Sequence, residues 1–313
     1  MSKYQPIDRI MKELGRDDLL DLLQHELSSS DLNTLLLELF RRKAIGTSPA
    51  ELLKQYAANR FVHPSELDPI ALKRMEIDLL SLAQARGFQP VQLSPVAPLG
   101  SCSVVGTADQ NKIISALRGT EVIADATNAL ALHICHGLKT SRLSHAADAV
   151  RVCTTHRHVR AQHFQQPGLL SHFHLFCMVT SGQDQGSYAF EKKTLTEHLA
   201  VYRDIFCTLF DAEMKVSLNA RGGYTDGEGL LRSLSGHLQE AVPGLPVIEN
   251  TTPSSNNYYQ GLQFTITAVI NGQELNIGDG GFVDWPKKLL GRKKERMMIS
   301  AIGLERLAAI TSS

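Results

Sequence analysis

The sequence predicts an α+β fold, an antiparallel β-sheet flanked by helices and preceded by a helical N-terminal extension. Three observations carry that prediction. Val150 to Gln162 and Leu169 to Thr180 read as strands on either side of Gln165-Gln166-Pro167-Gly168, one long antiparallel hairpin. Tyr258 to Ile270 and Gln273 to Ile277 form a second hairpin across Asn271-Gly272, a dipeptide suited to a tight turn. The C-terminal stretch Ile299-Ser300-Ala301-Ile302-Gly303-Leu304-Glu305-Arg306-Leu307 reads as a buried strand running through a glycine into a helix. Helices grouped around hairpins argue for α+β and against an alternating parallel array.

The first sixty or so residues are helical in pattern. Ile7, Ile10, Met11 and Leu14 recur at helical spacing, and Leu19, Leu20, Leu22, Leu23 and Leu27 continue it after Gly15. Ser30-Asp31 reads as the cap of a third helix through Leu32, Leu35, Leu36, Leu37 and Phe40. Ser48-Pro49-Ala50-Glu51 is a capping box with proline at the first helical position. Residues 1–65 are expected to be a helical extension for docking or interaction, and residues 66–313 the core. Within the core, a helix runs from Pro69 and stops at Gly87, and Phe88 to Leu93 alternates as a strand. Further helices are expected over Glu121–Leu132, Phe190–Phe210 and Gly229–Ala241, with a strand over Met214–Leu218.

Composition narrows the function classes. The 313 residues are 43% hydrophobic, enough for a large core. Lys+Arg and Asp+Glu are both 32, so no net field draws the chain to nucleic acid or to an acidic membrane. Five cysteines, an odd number with no C-x-x-C pair, predict reduced thiols. With no signal peptide and no apolar run long enough to span a bilayer, the expectation is a soluble, cytoplasmic protein without a membrane partner.

Several side chains could carry chemistry. Arg306 at the start of the terminal helix could meet a polyphosphate bidentately. Arg160, near the turn of the long hairpin, could hold a phosphate, an aromatic such as Phe176 on the returning strand could stack on a base, and His172 could reach outer phosphates. His156/His158 and His172/His174 are two His-x-His pairs on strands expected to be neighbours, which makes a zinc site geometrically possible; solvated or packed histidines are the plainer reading. The basic run Lys287 to Arg296 reads as a solvated loop or as an RNA contact.

These segments, taken in order, resemble the catalytic core of class II aminoacyl-tRNA synthetases over roughly Pro69 to the C-terminus. Arg74 to Pro95 is similar to the first motif of that class, a helix and strand at its dimer interface. Val159-Arg160-Ala161-Gln162 followed by His172-x-x-x-Phe176 is similar to the second. Ala301-Ile302-Gly303-Leu304-Glu305-Arg306-Leu307 is similar to the third. Tyr258-Tyr259-Gln260-Gly261 and Gly280-Gly281-Phe282-Val283-Asp284 resemble two segments of histidyl-tRNA synthetases, and Arg118-Gly119-Thr120-Glu121 falls where class members place an amino-group-binding loop. The nearest resemblance is to histidyl-tRNA synthetase-like paralogues lacking the anticodon-binding domain.

The resemblance implies an ATP- and Mg²⁺-dependent ligase that activates an amino acid or similar small carboxylate as an adenylate, on a homodimeric scaffold. The acceptor would be tRNA, a carrier protein or none. It implies that Arg160 binds the α-phosphate and the attacking carboxylate, Phe176 stacks on adenine, and His172 and Arg306 hold the outer phosphates. Gln162 and Glu305 fall at nucleotide-binding positions, and Gln162 stands where the family has glutamate. Glu121, Tyr258 and Asp284 would face the substrate. Asn276 falls where some relatives carry a metal-binding glutamate, with Asp279 as a substitute ligand. Departures at Ser254-Ser255-Asn256-Asn257, Phe282 and Ile299 imply that histidine charging is not the activity. They leave open a catalytically silent paralogue acting as a regulatory or scaffold subunit.

Overall fold

The computed structural model describes residues 5–145, 148–162, 171–250, 258–270 and 272–311. Its N-terminal helices are fixed by their ends more than by burial. α1 (Gln5–Leu14) is followed by α2 (Leu19–Asp21), which continues as a π-helical turn over Leu22–Glu26. α3 (Ser29–Ile45) begins earlier than the Ser30-Asp31 reading, because Ser28 is the cap and its hydroxyl accepts from the Asp31 amide at 3.1 Å. α4 (Pro49–Ala58) starts at its capping box, where Ser48 accepts from the Glu51 amide at 3.2 Å. α2, α3 and α4 bury no residue, and Leu35, Leu37, Leu39 and Phe40 stand exposed.

α5 (Pro69–Ala85) is capped by Asp68, which accepts from the Ile70 amide at 2.8 Å, and the chain leaves it through Gly87 at φ +86°. The strand expected over Phe88–Leu93 shrinks to β1 (Gln89–Pro90), with one further bond past it from the Val91 amide to the Cys153 carbonyl at 2.8 Å. β2 (Val96–Pro98), β3 (Ser115–Ala116) and β4 (Thr120–Val122) form a small sheet in the order β2-β4-β3. The helix expected from Glu121 starts later. Glu121 lies on β4, and α6 (Ala126–Lys139) is capped by Asp125, which accepts from the Thr127 amide at 2.9 Å.

β5 (Val150–Val159) and β6 (His172–Gln183) pair antiparallel from Val150↔Ser181 to Val159↔His172; the expected turn at residues 165–168 lies outside the described residues. Then follow α7 (Ala189–Phe210), β7 (Glu213–Ala220), α8 (Gly227–Ala241) and β8 (Val247–Asn250). β9 (Gln260–Ile270) and β10 (Gln273–Val283) form the second hairpin, whose Asn271 is likewise outside the described residues. α9 (Trp285–Leu290), β11 (Glu295–Gly303) and α10 (Leu304–Thr311) complete the chain.

The main sheet has eight strands in the order β1-β5-β6-β11-β10-β9-β7-β8. Every interior pairing is antiparallel, as expected, while β1 and β8 add to the edges in parallel, so the sheet is mixed. Side chains alternate across it. One face packs Phe176, Met178, Met298 and Ile302 under α5, α7, α8 and α10. The other carries Val152, Cys177, Val179 and Ile299, covered by α6 and α9 at one end and open at the other.

A buried polar relay crosses the first layer. His198 bonds Thr180 Oγ1 at 2.9 Å and Ser300 Oγ at 2.8 Å, and Tyr202 donates to Ser300 Oγ at 2.7 Å. Burial pushes His198 down to about 3, so it stays neutral. All five cysteines are free, and no described helix is long and apolar enough to cross a membrane.

Candidate functional site

The open end of the second face is a cavity of about 930 Å³. Strand parity decides what reaches it. Ala301, Asp279 and Thr265 stand opposite one another on β11, β10 and β9, and Phe173 and Leu175 continue the same face on β6. Gly281 on β10 makes room above this floor. A Cβ on Gly281 would fall 2.7 Å from the Tyr259 ring, so Tyr259 lies down onto the sheet because that position has no side chain.

Arg160 enters from just beyond β5. Its Nε donates to the Ala124 carbonyl at 2.9 Å, and its guanidinium lies 5.0 Å from the Phe173 ring centroid. Beside it, Asp125 accepts from the Thr127 hydroxyl at 2.6 Å and from the Tyr258 hydroxyl at 2.6 Å. Burial would raise the Asp125 carboxyl, but the Arg160 charge and these donors outweigh it and hold the group below its ordinary value. Beneath, His158 accepts from the Ala126 amide at 2.8 Å and stacks on Phe173. Burial lowers His158 to about 3, which keeps its Nε2 lone pair available.

Asp279 is the second carboxyl in the floor. It accepts from Gln263 Nε2 at 2.8 Å and from Tyr259, and burial raises its pKa. Gln263 is itself held by two donors of Arg221. At the rim, Arg306 donates to the Asn276 carbonyl at 2.7 Å. Glu305 turns inward, accepting from the His174 amide at 2.6 Å and lying 2.9 Å from His174 Nδ1. His172 donates from Nε2 to the His63 carbonyl at 2.7 Å and accepts at Nδ1 from Arg157.

Seven residues singled out from sequence therefore line one cavity: Arg160, His172, Tyr258, Asn276, Asp279, Glu305 and Arg306. Four do not. Phe176 is fully buried on the opposite face, edge-on to Tyr202, because it is three residues from Phe173 and so has opposite parity. Glu121 is buried in the small sheet, accepting from the Gly100 and Cys102 amides and from Gln110. Asp284 pairs with Lys288 at 3.0 Å as α9 begins, and Gln162 is exposed. Parity also separates the histidines. His158 faces Phe173, whereas His174 sits opposite Arg157 on the other face, and no described group of three His, Cys, Asp or Glu side chains is arranged for a metal. Within the basic run, Lys288 pairs with Asp284 and Arg296 with Asp184.

Sequence reasoning missed Phe173, Asp125 and the segment His63–Leu67. Asp125-x-Thr127 ahead of an apolar helix was a readable cap signal. Phe173 needed the hairpin register, and nothing local marked residues 63–67.

This sheet order, with a terminal strand-and-helix carrying an arginine into a cavity beside a hairpin arginine, has the fold of solved class II aminoacyl-tRNA synthetases. Similar solved structures include an ATP phosphoribosyltransferase regulatory subunit/histidyl-tRNA synthetase from Bacillus halodurans, with a TM-score of 0.62 at 12% identity over 80% of this chain and 82% of that one. The apo histidyl-tRNA synthetase of S. aureus gives 0.58 at 12% identity over 79% and 68%. A threonyl-tRNA synthetase domain from Cryptosporidium parvum gives 0.61 at 11% identity, and the chain spans 63% of that domain. At such identities the likeness is one of fold. No family model matches the sequence, and no curated protein matches it.

Proposed function

We propose that the cavity binds ATP and activates an amino acid or a similar small carboxylate as an adenylate. The observation that carries this reading is the placement of Arg160 and Arg306 on one cavity wall system with an ionised Asp125 between hydroxyl donors beside Arg160. Arg160 would neutralise the α-phosphate and orient the incoming carboxylate. Asp125 with Tyr258 would receive the substrate ammonium, a role the sequence reading gave to Glu121. Arg306 would hold the outer phosphates, and Phe173, lying against both His158 and Arg160, would set the Arg160 guanidinium rather than stack on the base.

In the reaction, a substrate carboxylate oxygen forms a bond to the α-phosphorus as the bond to pyrophosphate breaks. No proton need move, so positioning and charge neutralisation suffice. The oxygens of Asn276 and Asp279, both in the wall, suit Mg²⁺, which is held by few protein ligands together with phosphates; it would supply further neutralisation of the triphosphate. The arrangement of residues 1–65 as an extension on a core of 66–313, and a homodimer through α5, belong to this same reading.

The test is amino-acid-dependent exchange of pyrophosphate into ATP, run over all amino acids with calorimetric ATP binding alongside. Exchange with one of them is expected; no exchange and no ATP binding would sink the reading. A second reading, a silent regulatory subunit, is favoured by the existing commitments of the site. Asp279 is already bonded to Gln263 and Tyr259, and Arg306 to a main-chain carbonyl. ATP binding without exchange would support it.

A further inference from the structure

The geometry points to Arg60 as a positioning residue of the nucleotide site, which makes the end of the N-terminal helical block a working part of the cavity. This rests on the ATP reading above.

Arg60 lies beyond α4, on the segment that joins the helical block to α5. Its guanidinium forks across the mouth of the long hairpin. Nη1 donates to the Gln162 carbonyl at 3.0 Å and to Ser171 Oγ at 2.7 Å, while Nη2 donates to the Ala161 carbonyl. Ala161 and Gln162 leave β5; Ser171 leads into β6. One planar side chain therefore ties the two strands together where their ladder ends, using the fixed fork geometry of a guanidinium.

The tied residues are the immediate neighbours of Arg160, the α-phosphate candidate, and of His172, which lines the cavity beside it. Arg160 precedes Ala161, and His172 follows Ser171. The Arg160 amide also donates to the Ser171 carbonyl at 2.9 Å, so the exit and entry of the hairpin are already coupled there. Three residues beyond Arg60, the His63 carbonyl accepts from His172 Nε2 at 2.7 Å and sets its ring. His63, Pro64, Ser65, Glu66 and Leu67 then line the cavity itself. The Arg60 guanidinium is steadied by the Phe61 ring, 4.3 Å from its centroid. Without Arg60 the two carbonyls and the Ser171 hydroxyl lose their shared donor, and the end of the hairpin that aims Arg160 and His172 is no longer fixed.

Calorimetric affinities for ATP and for adenosine, measured on the full chain as wild type, Arg60→Ala and Arg60→Lys with a thermal melt of each, test this. The ATP-to-adenosine affinity ratio should fall about tenfold or more in Arg60→Ala, because misplaced phosphate ligands cost the triphosphate and not the nucleoside. Arg60→Lys keeps a charge but loses the fork, so its ratio should also fall; this variant carries the test if Arg60→Ala does not fold. An unchanged ratio in the folded variants, or equal loss of both ligands, overturns the inference and leaves the ATP reading standing. A wild-type protein that binds no ATP overturns the ATP reading and this inference with it.

Discussion

Tyr258 donates its hydroxyl to Asp125 Oδ2 at 2.6 Å, joining the residue that caps α6 to the chain entering β9, 133 positions later. This bond closes one side of the cavity and helps to keep a buried carboxylate ionised. Because the folded Asp125 pKa lies below its ordinary value, its contribution to stability is present above the unfolded carboxylate pKa and is lost as pH falls through the folded one. Tyr258→Phe removes a bond to a charged group and should cost about 1.5–3 kcal/mol at neutral pH. The difference from wild type should shrink in acid, when Asp125 is protonated; urea unfolding at several pH values measures it.

Phe173 and Phe176 lie on one strand and should separate function from stability. Phe176 is fully buried against Tyr202, so Phe176→Ala should lower stability by about 3–5 kcal/mol, as for other buried aromatics. Phe173 lines the cavity beneath Arg160. Phe173→Leu removes the ring under the Arg160 guanidinium and should weaken ATP binding by about 0.5–2 kcal/mol, the scale of a cation–π contact. Equal affinities in Phe173→Leu and wild type would remove Phe173 from the proposed nucleotide site.

That contrast shows what the sequence could carry. Hairpins and caps were legible because their signals are local: Ser48-Pro49-Ala50-Glu51 begins α4, and Gly87 ends the helix it follows. The face of a residue near a hairpin end depends on register, and a register set by tertiary pairing moved the cavity aromatic from Phe176 to Phe173. Glu121 is a substrate-side candidate only through the resemblance of its loop, and in the fold its carboxylate already accepts from the Gly100 and Cys102 amides. Asp125, four residues on, caps α6 and lines the cavity. Arg60 had no local signature, since its partners lie about a hundred residues away.

His198 and His158 should give the protein an acid limb. Burial lowers both to about 3 from an ordinary 6.5, so below pH 6.5 the unfolded chain takes protons that the folded one refuses. Stability contributed by each is whole above 6.5 and falls as pH drops toward 3, at about 1.4 kcal/mol per pH unit for each histidine. His198→Gln keeps polar atoms near Thr180 and Ser300 while removing one titration. Its urea midpoint should be lower than wild type at pH 7 and should fall less steeply in acid; an identical slope would show that His198 already carries a proton when folded.

Arg306 tests the resemblance at the third motif. Its guanidinium is exposed and spends one donor on the Asn276 carbonyl, which leaves further donors of the fork for a phosphate. Arg306→Ala should weaken ATP binding by about 1.5–3 kcal/mol, with little change for adenosine. Calorimetry with both ligands decides; unchanged ATP affinity would mean that this arginine only braces Asn276.

Asp279 sets stability against binding. Burial raises its carboxyl pKa above the unfolded value, so its favourable contribution is present below the unfolded pKa and is lost as pH rises through the folded one. At neutral pH the buried carboxyl is therefore a net cost to the folded chain. Asp279→Asn keeps an oxygen to accept from Gln263 and Tyr259 and removes the buried charge, so the unliganded protein should melt at the same temperature or higher. If Asp279 helps hold Mg²⁺ with the triphosphate, the same variant should lose the gain in ATP affinity that Mg²⁺ gives wild type. A variant that is as stable as wild type and keeps the full Mg²⁺ effect would exclude Asp279 as a ligand. One that melts lower would show that the carboxylate's charge itself is needed, because the amide can still accept from Gln263 and Tyr259.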